Sequence, residues 1–203
     1  MPDLITPQTT LAIVAVLAYL LGSVPFGIVM ARLFGLGDLR TIGSGNIGAT
    51  NVLRTGNKLA AFLTLILDAG KGAIAVIAAR LIIQNDDAVQ IAGLAAFLGH
   101  LFPIYLKFRG GKGVATFLGT VLALSFPLGL AACGTWLAVA VITRYSSLSA
   151  LVSVASLPVW ILTLNSGPYL ILSFALMLLI YIRHWPNIRR LKAGTETKIG
   201  KKG

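Results

Sequence analysis

Seven apolar runs follow one another along this chain, and only short polar links separate them. They lie near residues 9–34, 58–83, 88–106, 114–126, 128–143, 148–164 and 169–182. A helix needs about 17–25 apolar residues to cross a bilayer. Since 57% of the 203 residues are hydrophobic and only 11% are charged, a soluble domain of ordinary composition is excluded. The sequence therefore predicts an all-α integral membrane protein that forms one domain over residues 1–203.

The first apolar run is expected to remain in the protein as a membrane helix. It lacks a basic leader and a small-residue cleavage site, and it contains Pro25 and Gly27, so a cleaved signal peptide is not expected. The single cysteine, Cys133, lies in another apolar run. Neither a disulfide nor a thiolate metal site is therefore predicted.

The basic residues are concentrated in some links and are missing from others. They occur in residues 35–57, in residues 107–113, at Arg144, and in the tail from Arg183 onward, which holds seven Lys or Arg. The links near residues 85–87, 127 and 165–168 are acidic or neutral. Basic links that share one face are typical of the cytoplasmic side of a membrane protein. The net charge of +11 therefore predicts a membrane orientation and no binding of nucleic acid.

The stretch 114–143 decides the predicted topology, because it can form one long helix or two short ones broken near Ser125-Phe126-Pro127. One helix would place the basic tail and the first basic link on opposite sides of the membrane. Two helices place every basic link in the cytoplasm. We therefore predict seven spans, with the N-terminus outside and the C-terminus in the cytoplasm; the two short helices require a thinned bilayer or tilted neighbours. Arg80, late in the second run, does not fit this charge pattern.

The first of three glycine-rich polar segments on the predicted cytoplasmic face is residues 43–51. Its backbone amides can turn towards one point and form an anion site. Hydroxyl and amide side chains add further donors at Ser44, Asn46, Thr50 and Asn51. A flexible connecting turn is the alternative interpretation.

The second and third segments add cations to the same face. Residues 108–113 place glycine amides and Lys112 directly before a helix, which suits phosphate. Gly113 stands where a nucleotide P-loop requires Ser or Thr, so nucleotide binding is not predicted; a simple basic loop is the alternative. Residues 184–190 combine His184 and Asn187 with two arginines, and interfacial anchoring with Trp185 is the alternative there. The polar tail from Lys192 to Gly203 is interpreted mostly as a segment attracted to anionic lipids.

Ionisable residues also lie inside two apolar runs. Asp68 and Lys71 are three residues apart and share a helix face, so an ion pair between them is predicted. Ionisable residues within the membrane are costly and are often functional, but a structural pair is equally compatible with the pattern. His100 is interpreted as a hydrogen-bonded packing residue.

Four ordered blocks resemble the bacterial integral membrane glycerol-3-phosphate acyltransferases that use acyl phosphate, the PlsY family. The blocks are SGN-x-GATN at residues 44–51 followed by Arg54, DAGKG at residues 68–72, GH-x-FP at residues 99–103 leading to GGKG at residues 110–113, and H-x-x-NI-x-RL at residues 184–191 followed by Gly194 and Glu196. Ile47 stands where proline is frequent in that family. The resemblance spans essentially the whole chain, and the seven-span prediction agrees with the family's topology.

The resemblance implies a reaction and a location. A fatty acyl group would pass from acyl phosphate to a hydroxyl of sn-glycerol 3-phosphate, giving lysophosphatidic acid and phosphate in phospholipid synthesis. The protein would lie in the bacterial cytoplasmic (inner) membrane with its site facing the cytoplasm. No cofactor and no metal are implied. The implied partners are membrane lipids and a soluble enzyme that produces acyl phosphate.

The resemblance also implies roles for individual residues. Ser44, Asn46, Arg54 and Lys112 would hold the phosphates and the reacting carbonyl. His184 and Asn187, with a hydroxyl from Ser147 or Ser149, would orient glycerol 3-phosphate. The phosphate of that acceptor would serve as the base, as in the mechanism proposed for the family. The catalytic residues are then Ser44, Arg54, Lys112, His184 and Asn187, and the substrate-binding residues are Gly45, Asn46, Gly48, Thr50, Asn51, Gly111, Gly113, Ser147 and Ser149.

The residues themselves are consistent with an activated donor. The His-x4-Asp dyad of other glycerolipid acyltransferases is missing, because Tyr105 lies five residues after His100 and Arg189 lies five residues after His184. An acyl phosphate already carries a good leaving group, so positioning and charge neutralisation can supply much of the acceleration.

The alternative function is a transporter of phosphate or of an organophosphate anion. A transporter typically places charged groups or broken helices near the middle of the membrane, whereas the polar segments here crowd one face. A membrane scaffold, the third interpretation, leaves the glycine-rich segments unexplained.

Overall fold

The computed structural model describes residues 4–200, which form helices joined by turns and loops. Ten α-helices occur in this range: α1 (Gln8–Ser23), α2 (Phe26–Leu33), α3 (Ala49–Leu53), α4 (Lys58–Ile82), α5 (Asp86–Leu101), α6 (Val114–Leu124), α7 (Phe126–Thr143), α8 (Ser146–Thr163), α9 (Leu170–Arg183) and α10 (Trp185–Lys192). Single 3-10 turns lie at Ile104–Leu106 and Gly167–Tyr169. The prediction of an all-α protein is confirmed.

Five helical segments within residues 4–200 are long and apolar enough to cross a membrane. They are Gln8–Leu33, Lys58–Ile82, Asp86–Leu106, Phe126–Thr143 and Ser146–Thr163. The bent pair Gly167–Arg183 and Trp185–Lys192, which meet at 63°, makes a sixth if it is counted as one span. The remaining predicted span is α6, whose 11 residues reach only about 16 Å, roughly half the hydrocarbon thickness of a bilayer. The structure therefore supports a multi-pass protein with five or six full-length spans.

The first apolar run is broken, although its sequence suggested one helix. Val24 and Pro25 separate α1 from α2, because proline has no amide hydrogen to continue the helix. The carbonyl of Val24 accepts a hydrogen bond from the Nζ of Lys71 at 2.9 Å. Lys71 also lies 2.9 Å from Asp68, which confirms the predicted ion pair and shows that it braces the break between α1 and α2.

The stretch 114–143 forms two helices that break at Ser125, as predicted. They pack closely, since a Cβ atom at Gly129 would lie 2.3 Å from the Cα of Leu122. Arg80 caps the end of α6 by donating from Nη1 to the Ala123 carbonyl (2.5 Å) and from Nη2 to the Leu124 carbonyl (2.8 Å). The last carbonyls of a helix lack partners within it and carry partial negative charge. The position of Arg80 outside the charge pattern is therefore explained by its bonds to the last carbonyls of α6.

Small residues let α1 and α5 pack against each other. A Cβ atom at Gly22 would lie 2.0 Å from the Ala96 carbonyl oxygen, and one at Gly99 would lie 2.3 Å from that of Tyr19. Helices in membranes commonly associate through such close backbone approaches. α5 ends at Leu101, and the loop that contains residues 108–113 begins directly after it.

Candidate active site

The three polar segments predicted from the sequence meet in the folded chain. The Nζ of Lys112 donates to the Oδ1 of Asn187 at 2.5 Å. Arg183 donates from Nε to the Gly111 carbonyl (3.0 Å) and from Nη2 to the Gly110 carbonyl (2.7 Å). The Nη2 of Arg40 donates to the carbonyl of Arg109 at 3.1 Å. These bonds join residues 108–113 to the end of α9 and to α10 on one side, and to the loop before α3 on the other.

Asn51 organises the first segment from a buried position, with only 1% of its surface exposed. Its Nδ2 donates to the Leu39 carbonyl, and its Oδ1 accepts from the Ser44 amide (3.0 Å), the Ser44 hydroxyl (3.3 Å) and Arg54 Nη1 (3.3 Å). A Cβ atom at Gly43, whose φ is +52°, would lie 2.7 Å from that Oδ1. Asn51 was predicted as a ligand contact, but its side-chain amide forms hydrogen bonds within the protein that hold Ser44 and Arg54 in position.

The glycines provide fewer free amides than the sequence suggested. Gly45 donates its amide to the Ile42 carbonyl at 2.9 Å, and Gly111 donates its amide to the His100 carbonyl at 3.1 Å. Neither amide is available for the predicted anion contact, because a backbone N–H is a single donor. Gly48 begins the short helix α3, where the hydroxyl of Thr50 lies 3.1 Å from that of Ser146. Asn46 is partly buried beside Gly48.

Gly111 and Gly113 shape the loop that presents Lys112. A Cβ atom at Gly111 would lie 2.2 Å from the Nε2 of His100, so His100 packs against the loop as predicted. The hydrogen bond that was also expected is not formed by its Nδ1, which is buried without a partner among residues 4–200 and lies 3.6 Å from the Oδ1 of Asp68. Gly113 has φ +83°, and its Cβ would lie 2.3 Å from the Phe97 ring. This backbone region strongly favours glycine. The backbone on either side of Lys112 therefore has room only for glycine, at Gly111 and at Gly113.

Lys112 is a partly desolvated cation. Burial lowers the pKa of its amine to about 8; Glu196 opposes that change, while Arg190, Arg54 and Arg183 reinforce it. A lysine with this pKa is still mostly protonated at neutral pH. Lys112 can therefore neutralise a phosphate there.

His184 lies at the bend between α9 and α10 and is 2% exposed. Its Nδ1 lies 2.9 Å from the Ile180 carbonyl. Because a carbonyl only accepts, Nδ1 carries the proton and Nε2 keeps a lone pair. Burial, reinforced by Lys112, lowers the pKa of His184 to about 4. The ring is therefore neutral at physiological pH and can accept a hydrogen bond from a hydroxyl.

Glu196 connects the third segment to α8; it follows the fourth motif block in the sequence, but sequence reasoning gave it no role in the site. Its Oε1 accepts from Asn187 Nδ2 (2.6 Å) and Ser147 Oγ (2.7 Å), and its Oε2 accepts from Arg190 Nε (2.7 Å). These donors, led by the Ser147 hydroxyl, hold the pKa of Glu196 below its usual value against the effect of burial. The available signal was its place after the fourth motif block, as an acid in a basic tail.

Residues 195–200 of the tail lie against the site, a role that the interpretation of the tail as a mostly lipid-attracted segment did not include. Thr197 accepts from Arg54 Nη2 at 2.7 Å. The amide of Ile199 donates to the Arg144 carbonyl at 2.7 Å. The tail therefore ties Arg54, which follows α3, to the turn before α8.

The structure separates the two serines of α8 that were predicted together. Ser147 faces the site and contacts Glu196, as described above. Ser149 is fully buried, and its hydroxyl donates to the Tyr145 carbonyl of the preceding turn at 2.8 Å. The geometry therefore favours Ser147 over Ser149 as a ligand contact.

A cavity of about 290 Å³ borders these residues and is lined by Arg40, Gly45, Ile47, Phe108, Arg109, Gly110 and Arg183. The three arginines were not among the predicted ligand contacts. Their sequence signal was the basic charge next to each polar segment. No group of three or more His, Cys, Asp or Glu that could hold a metal ion occurs within the described part of the chain.

The assembled site is strongly cationic. Arg54, Lys112 and Arg190 surround a single carboxylate, Glu196, and Arg183 lies beside them. Such a set suits anionic ligands with several phosphate oxygens. His184 and Asn187 add neutral groups that can orient a hydroxyl.

Comparison with known proteins assigns the chain to a family. The family model described as glycerol-3-phosphate acyltransferase matches residues 12–194. A protein named glycerol-3-phosphate acyltransferase from Jannaschia sp. (strain CCS1) is 62% identical, with 98% of each chain covered. One of the same name from Cereibacter sphaeroides (strain ATCC 17025) is 60% identical over all of this chain and 96% of the relative.

Solved structures agree with this assignment. A crystal structure of PlsY, an integral membrane glycerol 3-phosphate acyltransferase, in its glycerol 3-phosphate form matches with a TM-score of 0.87 and 38% identity. The match covers 94% of this chain and 96% of that one. The lysophosphatidic acid form of PlsY matches with a TM-score of 0.85, also at 38% identity. The chain therefore belongs to the PlsY family of glycerol-3-phosphate acyltransferases.

Proposed function

We propose that this protein transfers a fatty acyl group from acyl phosphate to a hydroxyl of sn-glycerol 3-phosphate. The products are lysophosphatidic acid and inorganic phosphate. The observation that carries the proposal is the contact of Lys112 with Asn187, because it joins a phosphate-neutralising cation to a group suited to orienting a hydroxyl. The relatives' names and the PlsY structures with glycerol 3-phosphate and lysophosphatidic acid support the acceptor and the product.

In the proposed reaction the acceptor hydroxyl oxygen attacks the carbonyl carbon of acyl phosphate. A new ester C–O bond forms, the bond from that carbon to the phosphate oxygen breaks, and phosphate leaves with its electron pair. The hydroxyl proton passes to an oxygen of the acceptor's own phosphate. His184 is not assigned this role, because burial lowers its pKa to about 4 and makes it a weak base. Arg54 and Lys112 neutralise the charge on the phosphates, and the Ser44 hydroxyl donates a hydrogen bond to them. His184 Nε2 and Asn187 hold the acceptor hydroxyl in line.

The reaction is tested with purified protein, radiolabelled glycerol 3-phosphate and acyl phosphate. We expect the label to become extractable with lipid. Acyl-CoA and acyl-carrier protein should not replace acyl phosphate, because the site offers phosphate ligands and lacks the dyad of the other acyltransferases. Comparable rates with acyl-CoA, without a phosphotransacylase, would contradict the donor assignment. Uptake of label into vesicles without new lipid would instead support the transporter.

We further propose that α6 is a seventh, short span and that the site faces the cytoplasm of a bacterial inner membrane, with the N-terminus outside. The basic links support this orientation. Cysteine probes at Thr55 and Gly194, in a protein with Cys133 replaced, should be protected from an impermeant reagent in intact cells. The matching outer probe belongs at the exposed Asp86, because the neighbouring Asp87 is 1% exposed and bonded to Thr6. Labelling of the Gly194 probe from outside would refute this topology.

A further inference from the structure

The cavity beside the site contains three arginines that the proposed acyl transfer does not use. Arg40, Arg109 and Arg183 line it, and we call this cluster the arginine pocket. No carboxylate lines it, although Asp38 accepts from the Arg40 amide nearby. The pocket borders the transfer site, because Gly45 follows Ser44, and Gly110 lies two residues before Lys112.

Two of these arginines are held in place by backbone carbonyls. Arg183 donates to the carbonyls of Gly110 and Gly111, and its guanidinium lies 5.6 Å from the centroid of the Phe102 ring. Arg40 donates to the carbonyl of Arg109. Their orientation is therefore fixed before any ligand arrives, which reduces the entropy lost on binding.

Arg109 provides the unused cation of the pocket. Its side chain is exposed, and it makes no hydrogen bond, ion pair or cation–π contact within residues 4–200. Guanidinium groups form paired hydrogen bonds with phosphate oxygens. A phosphate in the pocket would relieve the repulsion among three like charges.

An apolar border adjoins these cations. Phe108 lines the cavity with 58% of its surface exposed. Ile104 and Tyr105, on the turn before it, are 49% and 58% exposed. A ligand with a phosphate head and a hydrocarbon chain can satisfy both surfaces at once, with the head at the arginines and the chain along Phe108.

We propose that the arginine pocket binds the phosphate of a single-chain lipid phosphate before the ligand moves to Lys112. In the reaction proposed above this ligand is the acyl phosphate donor. The identity of the ligand rests on that proposed function, whereas the anion site rests on the three guanidinium groups. No bond is made or broken in the pocket.

Kinetics of Arg109→Gln test the pocket, with Lys107→Gln as the matched control. Lys107 is exposed in the same loop and does not line the cavity. Arg109→Gln should raise KM for acyl phosphate about five- to tenfold and change KM for glycerol 3-phosphate less than twofold. Lys107→Gln should change neither KM by more than twofold, and Arg109→Lys should restore part of the loss. Equal effects of the two glutamine variants would mean that only general surface charge matters and would overturn the proposal.

Binding of dodecylphosphonate tests the same site without turnover. This probe has a phosphate-like head and one chain but cannot transfer an acyl group. In a Lys112→Ala background, which weakens the transfer site, adding Arg109→Gln should reduce its affinity at least fivefold. Unchanged affinity would overturn the pocket.

Two competitors distinguish the source of the phosphate. Inorganic phosphate should compete at least tenfold more weakly than dodecylphosphonate if the chain contributes to binding. Equal competition would overturn the lipid part of the proposal. Displacement of the probe by phosphatidylglycerol nanodiscs, with the same dependence on Arg109, would assign the pocket to a bilayer lipid and also overturn it.

These results separate the pocket from the proposed function. Arg109-dependent binding without acylation by the parent protein would refute the proposed function and retain the anion site. Acylation with no Arg109 effect on either KM or binding would refute the pocket and retain the function.

Discussion

The amine of Lys112 lies 2.5 Å from the side-chain oxygen of Asn187, although 75 residues separate them. Asn187 in turn donates to Glu196, which also accepts from Ser147 and Arg190. The contact therefore links the loop before α6 with α8, α10 and the tail. A substitution at any residue of this network should therefore alter the positions of the side chains bonded to it.

The first prediction concerns the charge of Lys112. Lys112→Ala should lower kcat/KM by about 2–4 kcal/mol in transition-state stabilisation, as loss of one preorganised charge donor does. Arg54→Ala should have an effect of similar size, because it removes the other phosphate-facing cation. Steady-state kinetics with both substrates measure this loss. A decrease of less than threefold for Lys112→Ala would contradict its role.

The second prediction is a pH dependence that arises from the same residue. The pKa of Lys112 is lowered to about 8, so its cationic form is present below that pH and is lost as the pH rises through it. The value of kcat/KM, which reports the free enzyme, should therefore decrease above about pH 8. Lys112→Arg should remove this decrease, since a guanidinium remains charged. An unchanged alkaline limb in an active Lys112→Arg variant would assign the titration elsewhere.

The third prediction separates orientation from proton transfer. His184→Ala and Asn187→Ala should raise KM for glycerol 3-phosphate more than KM for acyl phosphate, because these groups are placed to hold a hydroxyl. The pKa of His184 is lowered to about 4, so no activity change between pH 5 and pH 7 should depend on this residue. Normal acceptor affinity with collapsed turnover, together with a His184-dependent ionisation near pH 6, would establish a base role instead.

The fourth prediction concerns Glu196. Glu196→Ala should raise KM for glycerol 3-phosphate and lower the thermal midpoint in detergent, because Asn187, Ser147 and Arg190 all lose their acceptor. Lys192→Ala is the control, since Lys192 is exposed and has no side-chain bond within residues 4–200. The folded-state pKa of Glu196 is lowered, so the stability it contributes is present above its unfolded value and is lost as the pH falls through the folded value. Equal midpoints for both variants would contradict this role.

The fifth prediction compares two glycines. Gly113→Ala should destabilise the protein by about 1–3 kcal/mol, because it combines a left-handed backbone with a collision against Phe97. Gly134→Ala lies within α7, where a new Cβ meets nothing within 4 Å, so its effect should be small. Thermal midpoints in the same detergent measure the difference. A Gly113→Ala protein as stable as Gly134→Ala would contradict the strain argument.

The sequence by itself determined the membrane class, the helical secondary structure and the three polar segments. The reason is local: in lipid every backbone amide must be satisfied internally, so long apolar runs become helices. The break at Ser125 followed from one local signal, Pro127, together with the charge parity of the links along the whole chain. Apart from the charge parity, these features depend on residues that are near one another in the chain.

The tertiary structure decided which groups in those segments are free to bind. Ser147 and Ser149 look equivalent in sequence, but a separation of two residues turns them about 200° apart around a helix, so only Ser147 contacts Glu196. The amides of Gly45 and Gly111 are taken by carbonyls of the protein. Sequence motifs could not reveal the folded tail or the arginine pocket, because both depend on contacts between segments far apart in the chain.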